Sequence, residues 1–127
     1  MGTKTYAGGN TQRPIDQYLV NDCSVEDAIT ATAGGTKAAA RALTAAVNRI
    51  SVCATAADSV LLPLAEAGAR VVIANDGAAS AQVFGAGTDT INAVATATGV
   101  AQAAGTKALY ACVKAAPAGN WIRVLSA

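Results

Sequence analysis

The residue types that most often carry chemistry are sparse in this sequence and poorly spaced for it. Among its 127 residues there is no histidine. That removes the commonest general base, the Ser-His-Asp and Cys-His nucleophile systems, and most transition-metal sites. The eight carboxylates are scattered as Asp16, Asp22, Glu26, Asp27, Asp58, Glu66, Asp76 and Asp89. Most fall in the first 28 residues or at expected turns, where Asp is a local hydrogen-bonding residue. Val25-Glu26-Asp27 beside Asp22 lacks the ligand periodicity and the glycine of a calcium loop. Gly85-Ala86-Gly87-Thr88-Asp89 has the glycines of a phosphate cradle. It lacks the GK[ST] ending, and no helix is expected after it, so it reads as a turn. Cys23, Cys53 and Cys112 match no zinc or redox template and read as reduced small hydrophobes, with a Cys53–Cys112 bridge left open. Tyr110 and Trp121 are candidates for a stacking platform. With aromatics at 4% of the chain and no basic residues interleaved, core or interface packing is the better reading. The expectation is a protein with no catalytic residue, no metal ligand and no cofactor.

The bulk numbers narrow the partners. The formal net charge of +1 supplies no basic stripe for nucleic acid and no polybasic anchor for a membrane. No run of eighteen apolar residues is present, so no transmembrane helix is expected. The start MGTKTYAGGNTQ has no apolar h-region, so a secretory leader is not expected either. Hydrophobic residues make up 53% of the chain and charged ones 13%, about half the usual charged share. Much of that apolar excess is alanine, which buries little area, so Leu61, Phe84, Leu109 and Trp121 must carry a disproportionate part of the core. A surface this poor in charge is expected to be covered in part by other subunits.

Two regions must position whatever function there is. Residues 1–28 carry Gly8-Gly9, Arg13-Pro14 and scattered polar residues, with no sustained apolar period. They read as an extended N-terminal arm whose contact residues are Tyr6, Arg13, Pro14, Ile15, Tyr18, Leu19 and Val20. Residues 29–127 read as an all-β domain, a β-sandwich or jelly-roll-like unit. Gly34-Gly35 is a turn. Ala40–Ala54 reads as two strands or one long bent strand, because Ile50, Val52 and Ala54 alternate with Arg49, Ser51 and Cys53. A helix over residues 38–47 is the alternative, given the helix propensity of its alanines. Strands are expected at Ser59–Leu64, ended by Pro63, and at Ala69–Ala74. Asn75-Asp76-Gly77 is the strongest hairpin signal, with Ala81–Phe84 expected to pair back. Further strands are expected at Thr90–Ala95, Val100–Ala103, Lys107–Lys114 and Trp121–Leu125. In Lys107–Lys114, Leu109, Ala111 and Val113 should face opposite to Tyr110, Cys112 and Lys114. Short strands at this spacing suit a sandwich or barrel. No internal repeat of fixed period is visible.

Four stretches together carry a resemblance. They are Asn48 to Ala54; Asp58-Ser59-Val60-Leu61-Leu62-Pro63; Gly68-Ala69-Arg70-Val71-Val72-Ile73-Ala74-Asn75-Asp76-Gly77; and Val83-Phe84-Gly85-Ala86-Gly87-Thr88-Asp89-Thr90-Ile91-Asn92. With Trp121 near the end, this pattern resembles small tailed-bacteriophage virion structural proteins of the capsid decoration (cement) or head-fibre type. The resemblance covers about residues 28–125. It implies a non-enzymatic unit, commonly a homotrimer, made in the host cytoplasm and carried on the capsid surface of the virion. Its partners would be copies of itself and the major capsid protein or another virion protein. On this expectation the arm clamps neighbouring capsid subunits. The alternative is a receptor- or glycan-binding fibre or tail tip, using the loops Asp76–Ser80 and Gly85–Asp89.

Overall fold

The computed structural model describes residues 24–126, and before them only the backbone at Tyr6–Ala7 (β1) and Asn10–Thr11 (β2), which pair antiparallel. Ten strands follow: β3 Val25–Thr30, β4 Arg41–Ala42, β5 Val47–Val52, β6 Asp58–Leu61, β7 Arg70–Asn75, β8 Ala81–Phe84, β9 Thr90–Ile91, β10 Val100–Gln102, β11 Lys107–Lys114 and β12 Asn120–Leu125. The described residues contain no helix, and the fold is all-β. A six-stranded sheet has the order β3-β5-β7-β11-β12-β9, and a four-stranded sheet has the order β10-β8-β6-β4.

From β3 to β8 the chain alternates between the two sheets, and each strand lies parallel to the strand two before it. The result is a coil of three successive turns, β3-β4, β5-β6 and β7-β8. A jelly roll is built from antiparallel strands, so this half of the molecule departs from that expectation. The second half is more conventional, with β11 antiparallel to both β7 and β12 and β10 antiparallel to β8.

The alanine-rich helix over residues 38–47 does not form. A turn occupies 37–39, and β4 and β5 then enter different sheets. An isolated helix of that length is marginal in water, whereas Arg41 and Val47 gain ladder partners in Val60 and Val72. The boundary expected after residue 28 falls inside β3, which pairs with β5. The hairpin expected at Asn75-Asp76-Gly77 also fails to form, because β7 and β8 belong to different sheets. The local turn chemistry is present, since Asn75 Oδ1 accepts the Gly77 N–H at 3.0 Å. The segment after it bonds back onto the preceding turn of the coil: Asp76 N–H to Ile50 O at 2.9 Å and Ala79 N–H to Cys53 O at 3.0 Å. Gly77 sits so close to that neighbour that a Cβ would lie 2.6 Å from the Cys53 nitrogen. The strand expected at Thr90–Ala95 shortens to β9, because Asn92 and Ala93 adopt left-handed backbone (φ 51 and 61) and turn the chain away.

Buried side chains from both sheets join one hydrophobic cluster, including Ile29, Ile50, Ile73, Tyr110 and Trp121 from the larger sheet and Val60, Ala81, Val83 and Val100 from the smaller. Of the expected anchors, Phe84 and Trp121 are buried, while Leu61 and Leu109 are only half-buried. A buried polar network ties the sheets together. Tyr110 OH donates to Gln102 Oε1 at 2.7 Å, Gln102 Nε2 donates to Ile73 O at 2.9 Å, and Asn75 Nδ2 donates to Gln102 O at 2.9 Å. Burial pushes the Tyr110 phenol up to about 12, against a smaller opposing pull from Arg123.

Candidate functional site

Most of the described carboxylates and both described thiols are engaged in holding the fold. Asp89 is buried, and its two oxygens accept the Ala65 N–H at 2.9 Å and the Gly119 N–H at 2.8 Å, fastening two loops. Asp58 caps a turn by accepting the Thr55 N–H at 3.1 Å. Glu26 pairs with Arg41. Cys53 and Cys112 are both free thiols and both buried, so the bridge left open between them is not formed. Burial raises the Cys53 thiol above its ordinary range, and the Asp58 charge raises it further. Among the described residues no three potential metal ligands cluster.

The loops considered for a receptor or glycan are similarly engaged. Asp76 is bonded to Arg49, and Gly87 O accepts from Lys37 Nζ and from Thr96 Oγ1. Beside Gly87 lies a shallow, mainly apolar depression of about 480 Å³, lined by Leu64, Thr88, Asp89, Ala116 and Pro117. Its one carboxylate, Asp89, presents oxygens already taken by backbone amides.

Among the described residues, exposed large hydrophobics gather on the outer face of the six-stranded sheet. Side chains alternate across a strand, so in β11 Ala108, Tyr110 and Cys112 face the core, while Leu109, Ala111 and Val113 face out. The pairing registers place Val25 beside Val47, Val47 beside Val72, Val72 beside Leu109 and Leu109 beside Val124. One apolar row therefore crosses five adjacent strands. Its ends are the most open, with Val25 65%, Val124 63% and Val47 39% exposed. A second row, Arg70-Ala111-Ile122, runs alongside, and Ile122 and Val113 are 42% and 55% exposed.

Charge borders this face on its other side. Arg49 bonds Asp76 at 2.8 Å and Asp27 at 3.2 Å, and Lys107 reaches Asp76 at 3.5 Å. The hydrogen bond from Arg49, helped by Lys107, holds the Asp76 carboxyl below the usual carboxylate range, and the same bond raises Arg49. An apolar centre with a polar border is the anatomy of an interaction surface.

The arm residues expected to make contacts, Arg13, Pro14, Ile15, Tyr18, Leu19 and Val20, lie outside the described residues, as does the side chain of Tyr6. Sequence reasoning placed Leu109, Ala111 and Val113 on one face but did not join them to Val25, Val47, Val72 and Val124. The available signal was the doubled apolar pair Val71-Val72, which marks a strand apolar on both faces. Comparison with protein-family models, with curated proteins and with solved structures finds no match for this chain.

Proposed function

We propose that this chain is a non-enzymatic virion structural protein that binds the outer surface of a capsid and stabilises it, acting as a decoration protein. The observation that carries the reading is the five-strand apolar row on the outer face of the larger sheet, set in a molecule whose described carboxylates, Glu66 apart, are bonded within the fold and whose described thiols are buried. Such a face acts by packing against another protein surface, which suits a protein that works in an assembly, and the likeness to small tailed-phage virion proteins supplies the particle on which that assembly sits. In this reading the domain is a rigid all-β block, assembled with copies of itself, and the N-terminal arm clamps adjoining capsid subunits. Linked contacts of modest strength then hold tightly, because each works at the effective concentration set by the others.

The test is co-pelleting with heads assembled in the absence of this protein. The full chain is expected to pellet with heads and to raise their resistance to heat. Removal of residues 1–20 leaves β3 and every later strand intact and is expected to abolish pelleting. Undiminished binding by the shortened chain removes the clamp from the proposal, and failure of the full chain to bind removes the decoration role.

A further inference from the structure

We propose that the apolar row of the six-stranded sheet is the contact between two copies of this chain, packed face to face about a two-fold axis that runs along the row. The inference rests on the reading above only in assuming that the chain assembles with itself, and it puts a two-fold contact in place of the three-fold arrangement that the resemblance implies.

Three observations select a second copy as the occupant. The first is shape. Sheets of equal twist stack in an aligned manner about 10 Å apart, so a sheet face is complementary to its own copy. Rotation about the row sets each of its residues against the same residue of the partner, and Val72 at the centre meets Val72.

The second observation is charge. The rotation lays the border of one copy over the second row of the other. The border is balanced, with Arg49 and Lys107 against Asp27 and Asp76, so like copies do not repel there. Arg70 of the second row forms no ion pair among the described residues. It lies on the same strand as Ala74 and just before Asp76, and the rotation carries it toward the Ala74–Asp76 end of the partner's β7. Each copy thus offers a spare cation to the other's carboxylate, twice per dimer, as an isologous contact requires.

The third is area. The five strands of the row, about 4.8 Å apart and six to eight residues long, give a face of roughly 500 Å² per copy. Two such faces bury roughly 1,000 Å², the lower bound for a specific contact. The association should therefore be reversible and concentration-dependent rather than permanent.

Sedimentation equilibrium of the free full-length protein tests this without any particle. The wild type is expected to move from monomer to dimer between about 1 µM and 1 mM, the range set by an interface near the lower size bound. Val124→Lys and Arg70→Glu, both at exposed outward positions, are each expected to weaken the dimer at least about tenfold, the equivalent of 1.4 kcal/mol, with unchanged thermal midpoints. Val72→Cys, whose Cα would lie about 10 Å from its copy and so beyond disulfide reach, is expected to be joined into a dimer by a short bis-maleimide well beyond the level seen with wild type. A wild type that stays monomeric throughout overturns the proposal. So does a dimer indifferent to Val124→Lys and Arg70→Glu, or one in which Val72→Cys does not cross-link. A monomer that still pellets with heads overturns this contact and leaves the decoration role standing. A dimer that does not bind heads does the reverse.

Discussion

Replacing Tyr110 by phenylalanine removes one hydroxyl and leaves the ring in place. That hydroxyl is buried and donates to Gln102 Oε1 at 2.7 Å. Gln102 is equally buried, and its amide nitrogen is held by Ile73 O at 2.9 Å and Thr106 O at 3.2 Å. It is therefore not free to turn its oxygen elsewhere. Tyr110→Phe strands a buried acceptor, which costs about 1–3 kcal/mol. For a domain of this size that lowers the thermal midpoint by about 5–15 °C.

A second signature follows from titration. The folded phenol is raised from 10.0 to about 12, so between those values the folded state holds a proton that the unfolded state has lost. The contribution is fully present below pH 10 and is lost as pH rises through about 12. Its slope approaches about 1.4 kcal/mol per pH unit and its total about 2–3 kcal/mol. Urea denaturation of wild type and Tyr110→Phe, run from pH 8 to pH 12, reads both effects. Lysine and backbone contributions are common to the two proteins and cancel in the difference. The variant is expected to be less stable at pH 8, with the gap narrowing toward pH 12. A Tyr110→Phe midpoint within about 2 °C of wild type at pH 8, or a gap independent of pH, refutes the reasoning.

Three further outcomes test other parts of the fold. Gly77→Ala places a methyl 2.6 Å from the Cys53 nitrogen and is expected to cost about 1–3 kcal/mol in urea denaturation, as overpacking against backbone does. Asp89→Ala leaves the buried Ala65 and Gly119 amides without their acceptor. It should cost about 1–3 kcal/mol for each amide, whereas Asp89→Asn, which keeps one acceptor oxygen, should lose less by the same measurement. Asp76 is held below the usual 3.8 by Arg49, so its contribution is present above that pH and lost as pH falls further. Asp76→Asn is therefore expected to lower the midpoint slightly at pH 7, as loss of an exposed ion pair does, and to converge with wild type in acid, which flattens the acid limb of the stability profile by the same small amount.

Individual strands were the most legible level of organisation. In β11 the alternation of Tyr110 and Cys112 with Leu109, Ala111 and Val113 settles both the strand and its faces, because period-two patterning needs only local sequence. Turn sites were legible for the same reason: Gly34-Gly35 and Asn75-Asp76-Gly77 both fall where strands end. Pairing was less legible. The Asn75-Asp76-Gly77 turn has its expected internal hydrogen bond, yet the strands around it go to different sheets. A turn signal states that the chain bends and carries nothing about which distant strand offers the better ladder. Arg41–Ala42 and Val47–Val52 read as neighbours in sequence and lie in separate sheets. The candidate surface was legible only in fragments, since its rungs come from five strands.

By itself, then, the sequence determined the all-β class, the absence of a histidine-based site and the two-faced pattern of the later strands. Those depend on residue inventory and on side chains one or two positions apart. Only the tertiary structure decided the parallel coil from β3 to β8, whose uneven spacing leaves no fixed repeat to detect, and the register that aligns Val25, Val47, Val72, Leu109 and Val124. Both are set by hydrogen-bonded pairing between segments far apart in the chain, where a shift of one residue would turn every outward valine into the core.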